Sequence, residues 1–426
     1  MKALFYFFFA LFQLTLLPAS EWIELFNQKD FDGWYGRNPH RFVKVKEGQK
    51  KAFIEQEQKD LLKHWKVADE VIYNDGHGPY LTTKKEYGDI DLQLEVKMEK
   101  GSDSGIYLRG SPQVQLWDTK DESKWKHGAK LGSGGLWNNK VHTEGRDPIV
   151  HGDNPIGEWN KVRVLQVGAR TSVWVNDKLV VDHVIMDNYW NYKMPLAKSG
   201  PIMLQTHGAP VYWRNIKVKE LSTDESVQIL AEKSNESSWK EITPNTTNHA
   251  NWTSTTNKPF ELVEGVVRGG EGSYYYSEKQ FGDYQMAFKF KLRAGANNGL
   301  LVRYPGKGDG AYAGLCELQI LDNTHPKYAK LDDRQYHGSA YGMQAAHKNA
   351  LNEVGEWNHQ IVTVKGRKIV VELNGYEILN VDLTKVKDFM GNKPHQGFDR
   401  DKGYVGFAGH RQPFVDFKDI RIRELK

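Results

Sequence analysis

Asp91-Leu-Gln-Leu-Glu-Val-Lys-Met98 and Met286-Ala-Phe-Lys-Phe-Lys-Leu292 are the stretches that decide the fold. Leu92, Leu94, Val96 and Met98 alternate with charged or polar neighbours, as do Met286, Phe288, Phe290 and Leu292. A period of two marks strands buried on one face. Each stretch follows an aromatic-Gly-Asp turn, Tyr87-Gly88-Asp89 in one case and Phe281-Gly282-Asp283 in the other, so the two are the same element met twice, 194 residues apart.

The repeat extends in both directions and keeps its order, which is the mark of a tandem duplication. Gly101, Gly105 and Arg109 match Gly295, Gly299 and Arg303 at the same offset, while Gln115 and Asp118 match Gln319 and Asp322 at 204, the extra residues forming a loop around Gly306 to Gly310. Gly157-Glu158-Trp159-Asn160 returns as Gly355-Glu356-Trp357-Asn358, Asn176 as Asn374, and Gly200 to His207 as Gly403 to His410. Between the copies the chain turns rich in Ser, Thr and Asn. The expected division is a leader at residues 1–20, a first domain at 21–222, a linker at 223–238 and a second domain at 239–426. Each copy suits one all-β domain. Val371 to Leu373, then Asn374-Gly375, then Tyr376 to Ile378 predicts a hairpin, because Asn-Gly accepts the positive φ of a type I′ turn. Long helical patterns are nearly absent, although Asp224 to Glu232 has a helical reading. The expected fold class is all-β: two tandem antiparallel jelly-roll sandwiches.

Composition narrows the function. Lys and Arg number 58 against 54 Asp and Glu, with no basic block, so a nucleic acid partner is set aside. Cys316 is the single cysteine, which excludes an internal disulfide and a thiolate metal cluster. Lys2, the apolar run Ala3 to Leu17 and the small residues Pro18-Ala19-Ser20 read as a cleaved secretory signal, and no Cys follows it as a lipoprotein would require. The expected location is therefore periplasmic or secreted, with no membrane association after cleavage.

In Cys316 to Leu321 the period of two puts Glu317 and Gln319 on one face and Cys316, Leu318 and Ile320 in the core. Arg303 is out of phase with Leu300 and Val302, as Tyr107 and Arg109 are with Ile106 and Leu108, so Arg, Gln and an acid are expected to share one sheet surface. Such a surface beside Trp117, Trp137 or Tyr341 suits a sugar, whose hydroxyls need hydrogen-bonding partners and whose ring can lie on an aromatic face. His207 and His410 are equivalent, and His337 stands just before Gly338-Ser339-Ala340-Tyr341. No HExxH pattern, phosphate-binding glycine loop or GxSxG elbow is present.

Glu24-Leu-Phe-Asn27, Asp32-Gly33-Trp34, Gly101 to Arg109, Gln113-Val-Gln-Leu-Trp-Asp118, Gly157 to Asn160, Asn188-Tyr-Trp190, Leu204 to His207 and Arg214-Asn215-Ile216 together resemble the 3-keto-disaccharide hydrolase family. That family is also described as 3-keto-glucoside 1,2-lyase and 3-keto-2-hydroxy-glucal hydratase. The second copy matches through Gly299 to Arg303, Glu317 to Asp322, His337 to Tyr341, Gly355 to Asn358 and Gly403 to His410, and its opening motif is degraded. The resemblance implies a concanavalin A-like sandwich and cleavage of a glycoside already oxidised at C3 by a partner sugar oxidoreductase. It implies a base (Glu317 or His337), an electrophile (Arg303 or a bound divalent cation) and an orienting or protonating partner (Asp322 or His410). Gln319, Tyr341, Arg109, Gln113, Gln115, Asp118, Trp137, His207 and His410 are the expected substrate contacts. Gln113, which cannot act as a base, stands where the second copy has Glu317, so the second copy is expected to catalyse and the first to bind sugar. A conventional glycosidase fits less well, because Glu317 and Asp322 fall on opposite faces of a strand whereas paired carboxylates must flank one bond. The competing class is a lectin-like protein that binds carbohydrate without turnover.

Overall fold

The computed structural model describes residues 21–244, 251–256 and 260–426. The signal segment at residues 1–20 lies outside the described residues, and among them no helix is long and apolar enough to cross a membrane.

Both copies are two-layer antiparallel sandwiches of concanavalin A-like, jelly-roll type. In the first, an eight-stranded sheet runs Lys178–Ile185, Arg170–Val175, Trp159–Val167, Ile90–Met98, Val211–Glu220, Val71–Asn74 and Trp65–Ala68, with Ile23–Glu24 added on Val211–Glu220. It faces a five-stranded sheet ordered Trp34–Gly36, Leu81–Thr83, Met203–Leu204, Asp103–Leu108 and Ser111–Trp117. The second copy repeats this plan. Its larger sheet centres on Asp416–Glu424, Tyr284–Lys291 and Trp357–Lys365, and its smaller sheet runs Trp252–Ser254, Tyr274–Ser277, Tyr404–Gly409, Asn297–Tyr304 and Cys316–Leu321.

The alternating residues close the cores: Leu92, Leu94, Val96 and Met98 are buried, and so are Met286, Phe288, Phe290 and Leu292. In the second copy the polar phase is covered as well. Ala287 and Lys289 are buried because the helix Thr223–Glu232 lies across this sheet, and the Lys289 ammonium pairs with Asp419 at 2.9 Å and donates to Gln228 at 3.2 Å. That helix, inside the segment read as a linker, starts at a capping box in which Ser222 and Glu225 satisfy each other's backbone N–H. A second helix, Lys50–His64, corrects the expectation that long helices are nearly absent. Its sequence shows little amphipathic signal, since Glu57 and Leu61 are its buried residues.

The predicted hairpin has positive φ at Asn374 (48°) and Gly375 (80°). It also joins the copies. Ala169 N–H donates to the Gly375 carbonyl at 3.1 Å, and a Cβ on Gly168 would overlap the Asn374 carbonyl. Beside it Arg170 forks onto Glu372, with Nε 2.9 Å from Oε1, and Arg109 donates to the Tyr376 hydroxyl.

Candidate functional site

The outer face of the second copy's smaller sheet carries a pocket of about 280 Å³. In its floor Asn297–Tyr304 and Cys316–Leu321 run antiparallel, with Gly299 opposite Gln319 and Leu301 opposite Glu317. Leu318 and Ile320 enter the core while Glu317 and Gln319 line the pocket, as the alternation requires. Its walls include Tyr274, Asn297, Asp309, Tyr312, Tyr341 and His410.

Glu317 lies in the floor of this pocket. Its side chain is buried and makes no hydrogen bond or ion pair with the described residues, and its carboxyl folds over Gly299, where a Cβ would overlap Oε1. Burial, assisted by the negative charge of Asp309, pushes this carboxyl up to about 8. Gln319 is held beside it by donating to Asn297 Oδ1 at 2.6 Å and to the Asn298 carbonyl at 3.3 Å. Tyr341 is fixed by its backbone N–H, which donates to the Glu317 carbonyl at 2.9 Å, and by Gln335, which donates to its hydroxyl at 3.0 Å. The Tyr312 and Tyr341 rings meet edge to face at 6.1 Å, and the exposed His410 stands at the rim.

Three residues expected at this site lie elsewhere. Arg303 adopts a left-handed backbone, φ 52°, which takes it out of the strand alternation. Its guanidinium is buried against Asp283 Oδ1 at 2.9 Å and the carbonyls of Gly282 and Arg400. Arg109 repeats this, with φ 52° and bonds to Asp89 and the Ala197 carbonyl. Asp322 closes a turn, accepting from the N–H of Gly295 at 2.7 Å and of Thr324 at 2.9 Å; burial opposes these donors, yet they hold its carboxyl below the usual range. Asp118 closes the equivalent turn by accepting from the backbone N–H of Gly101 and of Lys120. His337 is a core residue stacked on Phe290 at 5.1 Å, its Nδ1 accepting from Leu321 N–H at 3.4 Å and its Nε2 3.0 Å from Gln360 Oε1. Burial pushes its imidazole down to about 4, so it is a neutral structural group.

The first copy differs at the equivalent positions. Gln113 replaces Glu317, and its amide donates to Gln115, which in turn donates to Asp103 Oδ1 at 2.8 Å. The carboxylate has changed strands: Asp103 occupies the place of Asn297, and its other oxygen lies 3.2 Å from His207 Nδ1, a contact that raises the imidazole's pKa. Gln205 occupies the place of Ala408 and Tyr107 that of Leu301, so larger side chains fill this face. His40 covers Tyr107, with Nε2 2.9 Å from its hydroxyl. Trp137 is half-buried beside Trp117 and donates to the His127 carbonyl at 2.8 Å.

The sequence reading missed Asp309, Tyr312, Tyr274 and Asn297. The signal for the first two was the jump in repeat offset, which announced an insertion without revealing that it folds back over the strands. No group of three or more His, Cys, Asp and Glu side chains suited to a metal ion occurs among the described residues.

The model of the 3-keto-alpha-glucoside-1,2-lyase-like domain matches residues 21–219 and again 237–423. A 3-keto-disaccharide hydrolase of Bacteroides thetaiotaomicron is 24% identical over 258 residues, covering 48% of this chain and 80% of that protein. Among solved structures, a provisionally assigned glycosyl hydrolase of Parabacteroides distasonis aligns at 22% identity over 44% of this chain and 99% of its own, with a TM-score of 0.39. The carbohydrate-binding module CBM66 of Bacillus subtilis aligns at 12% identity over 42% of this chain and 98% of its own, with a TM-score of 0.28.

Proposed function

Because the chain belongs to the 3-keto-alpha-glucoside-1,2-lyase-like family, we propose that it cleaves 3-keto-glycosides by elimination followed by hydration, in the pocket of its second copy. The observation that carries this reading is Glu317, a buried carboxyl with no hydrogen-bond or ion-pair partner among the described residues, inside a sugar-sized pocket. A ketone at C3 acidifies the hydrogen on C2. The Glu317 carboxylate takes that proton, the electron pair forms the C1–C2 double bond, and the C1–O bond breaks as the aglycone oxygen gains a proton. Water then adds, its oxygen to C1 and a proton to C2, which restores a free 3-keto sugar.

A base with a pKa near the working pH serves this chemistry well, since it is both available and strong enough to remove the proton. The developing enolate oxygen needs a donor. Asn297, Tyr312, Tyr341 and His410 border the pocket, whereas Arg303 is committed to Asp283 and backbone carbonyls. An upstream sugar 3-oxidoreductase and a periplasmic or secreted setting belong to the same proposal.

The test is a 3-keto-glucoside with a chromogenic aglycone, compared with the unoxidised glucoside. Aglycone release from the keto compound alone, abolished in Glu317→Gln, is the expected result. Equal release from the unoxidised glucoside, or undiminished release by the variant, overturns the reading. A parallel assay in EDTA reads whether a divalent cation takes part.

A further inference from the structure

Between its two site strands the second copy carries ten residues that the first copy lacks, since the repeat offset grows from 194 at Arg303 to 204 at Gln319. In the first copy, Arg109 and Gly110 turn directly into Ser111–Trp117. We infer that this insertion, residues 305–314, is the specificity element of the second copy: a wall whose Tyr312, set against Tyr341 outside the insertion, grips a single uncharged pyranose ring and whose Asp309 takes its hydroxyls. The inference rests on the sugar-site reading above, though not on turnover.

The wall is built and pinned. Asp309 caps the short helix Gly310–Ala313, its Oδ1 accepting from Ala311 N–H at 3.1 Å. A Cβ on Gly310 would come within 2.9 Å of Leu301 and 3.0 Å of Tyr274, so the insertion lies directly on the sheet. From behind, Gly397 N–H donates to the Tyr312 carbonyl at 3.4 Å, and any side chain at Gly397 would overlap the Ala313 carbonyl. Lys393 Nζ lies 3.5 Å from the centre of the Tyr312 ring and 3.8 Å from Asp309 Oδ2. The buried His395 packs its ring 5.0 Å from that of Tyr312 and so backs the wall.

The ligand class follows from the lining. Phenol rings offer surfaces for the C–H face of a pyranose, while Asp309, Asn297 and the phenol hydroxyls offer acceptors and donors for its hydroxyls. Asp309, joined by Glu317 once that carboxyl ionises, disfavours an anionic sugar. The volume of about 280 Å³ lies at the small end of ligand cavities and suits one ring. In the first copy the face is filled by Gln205, Tyr107 and His40, with the Gln205 and Tyr80 side chains hydrogen-bonded at 3.0 Å.

The test uses the full chain and isothermal titration with methyl glucosides of both anomers and with the corresponding glucuronide. Tyr312→Ala is expected to weaken glucoside binding at least tenfold and Tyr312→Phe less than twofold. Ala408→Gln, which imports the first copy's filling residue, is expected to abolish binding with the melting temperature retained. Asp103→Asn on the first copy is expected to leave binding within twofold. The inference is overturned if Tyr312→Ala binds as the unmodified chain does, if Asp103→Asn abolishes binding, if the glucuronide binds as well as the glucosides, or if no glucoside binds at millimolar concentration. Should the glucosides bind as expected while the keto-glucoside is not cleaved, the proposed reaction fails and the wall stands. Should cleavage proceed with KM unchanged in Tyr312→Ala, the wall fails and the reaction stands.

Discussion

The carboxyl of Glu317 lies over the backbone of Gly299, its diagonal neighbour on the adjoining strand, in the volume that any side chain at 299 would occupy. Gly299 is therefore the cradle of the proposed base. Gly299→Ala is expected to swing the carboxyl away and reduce kcat/KM at least tenfold, which corresponds to about 1.4 kcal/mol of transition-state stabilisation. The overpacking should also cost roughly 1–3 kcal/mol of stability. Kinetics on the keto substrate at 25 °C, with a thermal melt alongside, separate the two effects. A variant with unchanged kcat/KM would remove Gly299 from the catalytic geometry.

The pH dependence follows from burial. With its pKa pushed up to about 8, Glu317 is mostly protonated at neutral pH and becomes a base as pH rises. The logarithm of kcat/KM is expected to rise with a slope of about one per pH unit and to level off above about pH 8. A profile that instead falls above that point would make Glu317 the acid that protonates the leaving oxygen.

The same shift has a stability sign. The folded-state pKa lies above the ordinary carboxyl value of 4.5, so the contribution of Glu317 to stability is fully present below that value and is lost as pH rises toward about 8. Replacing it with Gln removes the ionisation, so Glu317→Gln is expected to raise the melting temperature, by more at pH 8 than at pH 5. Melts of both proteins across this range test it. A buried base that destabilises the fold it serves fits the usual trade between activity and stability.

His337 should behave in the opposite way. It ties Leu321 N–H to Gln360 inside the core, so His337→Ala leaves both buried partners unsatisfied and opens a cavity beside Phe290. A loss of roughly 2–4 kcal/mol is expected. At temperatures where the variant remains folded, its kcat/KM should lie within about threefold of the parent and keep the same pH profile. A changed profile with an unchanged melt would restore His337 as a proton carrier.

The contrast between these two residues shows how far the sequence could be read. Alternation is a backbone property, so Leu318 and Ile320 in the core and Glu317 and Gln319 on the outer face were legible from the residues alone. Arg303 was misplaced because the same rule assumes extended backbone, and a left-handed residue at φ 52° leaves no mark in a sequence. His337 looked like a base because the periodicity of a loop says nothing about burial. Asp309 and Tyr312 were out of reach for a different reason: an insertion shows its length in a repeat alignment, but its return to the sheet depends on contacts with Lys393 and Gly397, some eighty residues further on. The helix Lys50–His64 was hidden because helix-forming residues without a strong apolar stripe do not stand out.

The two copies are coupled through Arg170 and Glu372, whose forked contact sits beside His183 and His359. Burial opposes the Glu372 charge, but Arg170 holds its carboxyl below the usual range, while burial pushes both imidazoles down to about 4. The pair is thus a charged contact set among neutral histidines. Arg170→Met leaves a buried carboxylate unpaired and is expected to cost roughly 3–5 kcal/mol, whereas Arg170→Met with Glu372→Leu should recover most of that loss. Denaturant unfolding of the parent, the single variants and the double variant closes the cycle. If the double variant is no more stable than Arg170→Met, removing the charge is not what restores the junction, and the contact acts through shape instead. Because Arg170 and Glu372 belong to the larger sheets and line no part of the pocket that holds Glu317, the kinetic pH profile of every folded variant should stay unchanged.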